Sequence, residues 1–547
     1  MKKPSLSDLT LREKIGQTYI IGTHFWARLK DRKAFLERNP VGGLWSCSGP
    51  PSKAKIQVVD FTDADISEDS STYAKPIAAD VAQYLKIPAV IGADTVTGFC
   101  DLSNAFNAVT FGATGDVSFA ERHGRAIANE FRCAGVHWRW SPVADLAHRE
   151  CASHIGRAYS DDPDTLADMC SAYVKGSQEN GVAACMKHFP GCGIYAKRDT
   201  HLVAEANTMT LEKWENTQGA IYQKIIDSGV WSVMISHTAF PAVDDTKIGK
   251  RYIPSTFSKK VITDLLKGKM HFDGVVISDD MHMRACHGFF SPEDMVINAI
   301  NAGIDMYLGY HADNVEDSEN YINILEKAVL DGRIPMARID DACQRILDFK
   351  EKIGLFNDGF FGKEECPEKA VAETQALFKE TCEKAITLVA NDLNLLPLNK
   401  DKIKNISLIT FAHSPGFFTA MDKLKTKLEA RGYNVKTYDV LTIQIMREID
   451  RTSDLIIYAM HLGAHAPYGA SSFYGDVMKS FFNVLSFGAE KSICVSFGST
   501  NIYYDYFENC DTFINAYTYN EYMIDAFVKA IFGEIPFEGV SPIKLIP

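Results

Sequence analysis

Two segments of the 547-residue sequence place titratable side chains where a short apolar run ends. In the first, Lys187-His188-Phe189-Pro190-Gly191-Cys192-Gly193, a strand-like run closes on Lys-His. Pro and Gly then break the backbone, and Asp199-Thr200-His201 follows. In an irregular loop Asp199 can accept a hydrogen bond from one imidazole nitrogen of His201 while the other faces a substrate. The carboxylate then fixes the tautomer and supports the imidazolium, which suits acid/base work. Taken alone, Asp-x-His is also an ordinary surface turn. The second segment, Phe272-Asp273-Gly274-Val275-Val276-Ile277-Ser278-Asp279-Asp280-Met281, is a buried-strand pattern ending in two acids. One such carboxylate could attack an anomeric carbon and form a covalent glycosyl-enzyme. Its neighbour, expected to be Asp280, could cap the helix that follows.

Groups this far apart in sequence need a scaffold that gathers strand ends. Up to about residue 360 the chain repeats a short apolar, β-branched run followed by a helical pattern, the signature of βα units. The runs lie near 15–22, 41–46, 87–94, 134–142, 181–188, 230–237, 273–280 and 302–309. They predict an α/β fold with an N-terminal (β/α)8 TIM-type barrel over 1–360, in which catalytic groups sit at the C-terminal ends of strands. Asp94, Ser141, Lys187 with His188, His237 and Asp279 each fall at such an end. FNDGFFGKEECPEKA then interrupts the periodicity, and residues 361–380 read as a linker or helical connection. A helix-like pattern over 373–392 leads into ISLITFAH, NVKTYDV, DLIIYAM, KSICVSFGS and CDTFINAY, which predict a smaller α/β sandwich over 381–547.

Composition narrows the partners. A formal charge of −13 argues against nucleic acid or an anionic membrane as partner, since both would need a concentrated basic face. The polar N-terminus lacks the apolar core of a signal peptide, and no apolar run approaches the length of a membrane span. Thirteen cysteines without C-x-x-C pairs suit a reducing setting. The expectation is a cytoplasmic, soluble enzyme with no cofactor and no metal.

Taken together, the segments resemble glycoside hydrolase family 3, in the branch of bacterial β-N-acetylglucosaminidases that carries K-H-F-P-G-H-G, then D-S-H, and S-D-D-L/M. LREKIGQ, IPAVIGAD ending at Asp94, SPVAD at 141–145, GRAYSDDP around Arg157 and MISHTAFPAVD at 234–244 are similar too. AITLVANDLNLLPL and IFGEIPFEGVSPIKL resemble the family's C-terminal α/β sandwich. The resemblance implies a retaining, exo-acting hydrolase of small oligosaccharides or glycoconjugates. It implies Asp279 as nucleophile, His201 as general acid/base and Asp199 as its partner, with Asp94, Arg157, Lys187, His188 and His237 binding the sugar. Two departures stand out. Asp94-Thr95-Val96-Thr97-Gly98-Phe99-Cys100 is closer to the wording of the family's β-glucosidases, and Cys192 replaces the second His of the Pro-Gly-His-Gly turn.

Alternatives within the family are a β-glucosidase or β-xylosidase whose acid is a Glu on the second domain, and a glycoside phosphorylase. Asp199-x-His201 speaks against the first. Outside it, a barrel oxidoreductase would call for G-x-G-x-x-G after a strand and a zinc hydrolase for H-x-H or H-E-x-x-H, and the sequence has neither. An inactive sugar-binding protein is disfavoured because the acid pair and the nucleophile are both present.

Overall fold

The computed structural model describes residues 2–22, 32–45, 84–94, 107–133, 135–146, 156–192, 201–309, 315–357, 368–413, 415–463, 472–482 and 488–545. Asp199 lies outside them, as do residues 95–100.

Eight parallel strands form the first sheet: β1 (Tyr19–Gly22), β2 (Gly43–Trp45), β3 (Val90–Ala93), β4 (Trp138–Arg139), β5 (Ala183–Phe189), β6 (Ser232–Ile235), β9 (Val275–Ser278) and β10 (Tyr307–Leu308). β7 (Lys247–Ile248) and β8 (Arg251–Tyr252) form a separate hairpin after β6. Each barrel strand falls within its expected run, except that β5 continues one residue further, to Phe189. Pairing of β10 with β1 and a parallel bridge between Ile277 and Met306 close the ring.

Side chains alternate across each strand. Ile20, Val90, Trp138, Cys185, Met234, Val275 and Ile277 fill the interior, while Ile21, Ile91, Ala184, Met186, Val233 and Val276 pack outward under the helices. A Cβ on Gly92 would lie 2.9 Å from the Trp140 ring, so glycine makes room for that indole. Helix starts follow ordinary capping rules. Asp162 caps Pro163–Gln178 and Ser291 caps Pro292–Ala302, each with Pro in the first turn.

The second sheet runs β11 (Thr387–Asn391), β16 (Thr512–Asn515), β15 (Ser492–Ser496), β14 (Leu455–His461), β12 (Asn405–Ala412) and β13 (Asn434–Tyr438). All neighbours pair in parallel except β11, which is antiparallel to β16. One face of this sheet (Leu408, Ile457, Val495, Ile514) belongs to the hydrophobic cluster that also packs the outside of the barrel. The other face (Ile409, Tyr458, Cys494, Phe513) packs a separate cluster with Met446, Ile449 and Phe481. The sequence reading of 373–392 as one helix is corrected here. The helix Glu368–Ala385 stops, and the β-branched run that follows adds a strand to the sheet edge. Among the described residues no helix is long and apolar enough to cross a membrane.

Closure of the barrel depends on Asp305, which has no exposed surface. Its backbone N–H donates to the Val276 carbonyl at 2.8 Å, and its carboxylate accepts the Val276 N–H at 3.0 Å. The same carboxylate pairs with Lys267 at 2.9 Å and Arg338 at 2.5 Å. Burial pushes its pKa up, but Lys267 and Arg338 outweigh this and hold it below the usual value. Stability from this group is therefore present above the unfolded carboxylate range, about pH 4, and is lost as pH falls through the lower folded value. Asp305→Ala should cost about 3 kcal/mol, because two partly buried cations lose their buried counter-charge and keep only the exposed Asp341. Chemical denaturation checks this, and a loss below about 1 kcal/mol would place the cluster with surface ion pairs.

Candidate active site

The site is built outward from the end of β5. There the Lys187 side chain, with no exposed surface, donates to the Asp94 carboxylate at the end of β3 over 2.5 Å. Burial drives the Asp94 pKa upward, but the charges of Lys187 and then Arg157 outweigh it and keep the carboxyl below its ordinary range. Asp94 thus stays ionised and partly exposed, able to accept hydroxyls. Three of the residues that the sequence grouped for sugar binding, Asp94, Lys187 and Arg157, are brought together.

His188 is held by a carboxylate that sequence reasoning left without a role. Asp145, fully buried, accepts from His188 Nδ1 at 2.6 Å and from the His188 backbone N–H at 3.1 Å through the same oxygen. Its other oxygen accepts from the Cys192 N–H at 3.0 Å and the Tyr222 hydroxyl at 3.2 Å. The proton on His188 is therefore fixed on Nδ1, and the other ring nitrogen points away from Asp145. Asp145, His188 and Cys192 have ligand-type atoms within 4.8 Å of one another. Both oxygens of Asp145 are already filled by donors, which makes the group a hydrogen-bonded support. Gly191, at φ 107°, completes the turn, and a Cβ there would meet the Gln218 side chain at 2.7 Å. Gln218 in turn donates to the Ala144 carbonyl at 2.7 Å and accepts from the Leu146 N–H at 3.2 Å. The signal for Asp145 was present in SPVAD, where an acid follows a strand end.

Asp279 follows β9, and its N–H donates to the Ile235 carbonyl at the end of β6 over 3.0 Å. Its Oδ1 accepts from the Asp280 N–H at 2.8 Å. Burial raises its pKa, yet the neighbouring imidazoles of His188, then His237 and His201, with the Asp280 N–H, outweigh that and lower it. Three imidazoles thus converge electrostatically on one carboxylate. His201 is exposed, on a loop whose carbonyl at that residue accepts from the Arg284 N–H over 2.8 Å. Asp280 turns its carboxylate to the His282 N–H at 2.9 Å, an Asx-type contact within the loop.

His237 sits beneath this loop with 1% exposure. Its Nε2 donates to the Asp280 carbonyl at 2.9 Å, and its Nδ1 meets the Thr256 hydroxyl at 2.7 Å. Burial pushes its pKa down. Both nitrogens are thus engaged by protein groups, so the geometry makes His237 a support for the Asp279–Asp280 turn.

The family profile described as "Glycosyl hydrolase family 3 N terminal domain" matches residues 10–349. A protein named beta-N-acetylglucosaminidase/beta-glucosidase from Cellulomonas fimi is 26% identical over 456 residues, 79% of this chain and 78% of that protein. A beta-hexosaminidase from Stenotrophomonas maltophilia is 34% identical over 203 residues, 37% of this chain and 58% of that enzyme. Among solved structures, a beta-glucoside phosphorylase superposes with a TM-score of 0.83 at 23% identity, covering 99% of this chain and 94% of its own. A family 3 beta-N-acetylglucosaminidase from Paenibacillus sp. str. FPU-7 gives 0.77 at 23%, covering 98% and 99%.

The electrostatics carry a pH consequence. In Lys187→Met the burial of Asp94 is no longer outweighed by the adjacent cation, so its pKa rises. The acidic limb of the kcat/KM profile should then move to higher pH. An unmoved limb alongside a lowered plateau would mean that ionisation of Asp94 does not govern binding.

Proposed function

Because this chain belongs to glycoside hydrolase family 3, we propose that it is a retaining, exo-acting β-N-acetylglucosaminidase in which Asp279 is the nucleophile and His201 the general acid/base. The observation that carries the reading is the Asp279 carboxylate directly after barrel strand β9, held below its ordinary pKa range beside the imidazoles of His188, His237 and His201. A nucleophile must be deprotonated while buried, and these imidazoles supply the compensation. Asp94, Lys187, Arg157 and His188 bind the sugar hydroxyls, with Asp145 positioning His188. His237 positions the turn that carries Asp279. Asp199 partners His201.

In the first step the Asp279 oxygen bonds to the anomeric carbon while the glycosidic bond breaks, and His201 gives its proton to the departing oxygen. In the second, water attacks the same carbon, His201 takes the water's proton, and Asp279 leaves as a carboxylate. The 2-acetamido preference is supported by the names of the Cellulomonas and Stenotrophomonas relatives and by the Asp199-x-His201 spacing. The double name of the Cellulomonas protein favours a second reading, in which β-glucosides are also cleaved.

A fluorinated N-acetylglucosaminide inactivator should label Asp279, and Asp279→Ala should lose turnover of every substrate. Labelling of Asp280, or an inverted product by NMR, would overturn the assignment. A clear preference for glucosides in an aryl glycoside panel would replace the acetamido reading with the second one.

His201→Ala should lose about 10²–10⁴-fold on substrates with poor leaving groups. It should still form the glycosyl-enzyme from a dinitrophenyl glycoside, whose phenolate departs unaided. The intermediate should accumulate as a burst, and azide should speed its breakdown because it attacks without deprotonation. Equal losses on good and poor leaving groups, with no azide effect, would remove His201 from the acid/base role.

A further inference from the structure

Two cysteines of the second domain meet in the cluster that packs the sheet face bearing Ile409, Tyr458 and Phe513. Cys494 lies within β15 and is 2% exposed, while Cys510 lies two residues before β16 and is partly exposed. Their sulfurs are 3.1 Å apart. One member of the pair therefore reaches solvent and the other stands directly behind it.

The two thiols differ in the way that exchange chemistry requires. Among the described cysteines the other seven are buried, and burial pushes up the thiols of Cys170, Cys185, Cys286, Cys343 and Cys382. Cys510 goes the other way. The adjacent Cys494 thiol supports its ionised form, and this outweighs burial and the opposing carboxylates of Asp511 and Asp392. A thiolate is the attacking species in disulfide exchange, and access decides which thiolate is used. Cys494 is held protonated, first by burial and then by Cys510 itself. The second of these influences ends once Cys510 is bonded to another sulfur. Cys510 also has freedom to move, because it precedes the strand ladder in a turn whose N–H donates to the Phe507 carbonyl at 2.8 Å. Closing the gap to an S–S bond of about 2 Å can thus come from the turn while both strands stay in place.

We infer that Cys494 and Cys510 form a reversible disulfide by exchange with a small soluble disulfide. The Cys510 thiolate, its proton released to water, attacks one sulfur of the small disulfide, whose S–S bond breaks. A mixed disulfide forms, and one small thiolate leaves and takes up a proton. Cys494 then gives up its proton and attacks the Cys510 sulfur, expelling the second small thiol. Two protein thiols have become one disulfide, and one small disulfide has become two thiols. The bridge ties β15 to the entry of β16 across the helical segment Tyr503–Phe507. In a reducing setting both thiols persist, so the pair responds to a rise in small disulfides.

The whole chain, reduced and then freed of reductant, is incubated with oxidised glutathione and digested without reduction. Mass spectrometry should find two peptides joined through Cys494 and Cys510, two hydrogens lighter than their reduced sum and separated again by dithiothreitol. In Cys494→Ser the exchange should stop halfway, leaving glutathione on Cys510. In Cys510→Ser, Cys494 should stay unmodified, because the accessible thiol that starts the reaction is gone. In the native chain iodoacetamide should modify Cys510 about tenfold faster than the buried cysteines named above. That rate needs no variant, so it stands where a substitution impairs folding. Absence of the joined peptides overturns the inference, as does glutathione that persists on Cys510 in the native chain. A bond from either residue to a different cysteine, or alkylation of Cys510 as slow as that of the buried thiols, overturns it equally.

Discussion

A charge removed entirely from water must be answered by donors placed before any substrate arrives, and in this fold that charge is Asp145. Its two oxygens accept four donors, drawn from the β5 strand end, the turn after it and the helix Gln218–Asp227. Loss of one partner would leave a buried ion short of its compensation, which costs more than an ordinary hydrogen bond. The turn at 190–192, the orientation of His188 and the position of Tyr222 are therefore not independent features. Lys187 inherits its place from the same strand end, since its N–H donates to Pro142 and its carbonyl accepts from Ala144.

From that fixed point the site extends as alternating charge. Asp94 is answered by Lys187 and Arg157, and Asp279 by the imidazoles. In both cases burial pushes the carboxyl pKa up, and in both the neighbouring Lys, Arg or imidazole groups outweigh it. The shared outcome is two carboxyls held below their ordinary range. In the proposed function one accepts hydroxyls and the other attacks carbon, so one electrostatic arrangement would serve both.

The barrel was legible because parallel strands buried on both faces read as apolar runs, and each of the eight contains its strand or all but its last residue. The positions of Asp94, Lys187 and His188 at strand ends were legible for the same reason, since they end such runs. Asp145 lies three residues beyond the run at 134–142, and its role depends on Tyr222 and Cys192, which only the folded chain brings near. His237 looked like a ligand from its strand end, while the carbonyl and hydroxyl that occupy it come from residues 280 and 256. The end of the helix at Ala385 was obscured because Ile386–Val389 continues its apolar spacing. The edge of β16 decides the matter by offering those residues a pairing partner.

The second domain also meets the barrel domain through a backbone carbonyl. Tyr517, one of three non-glycine residues with positive φ among the described residues, sits at 62° just past β16. That conformation costs of order 1 kcal/mol for a bulky side chain and persists only where its surroundings impose it. Here the ring is fully buried and its hydroxyl meets Thr387 Oγ1 at 2.7 Å, on the antiparallel edge strand. With the side chain so fixed, the Tyr517 carbonyl accepts from Asn107 Nδ2 at 3.2 Å. Asn107 is the N-cap of the helix Ala108–Gly112, the first described element after Asp94. The strained residue in one domain therefore sets where the chain re-enters the other after leaving the clamp. The continuous hydrophobic cluster that joins the barrel's outer layer to the second sheet keeps the two ends of that connection in register.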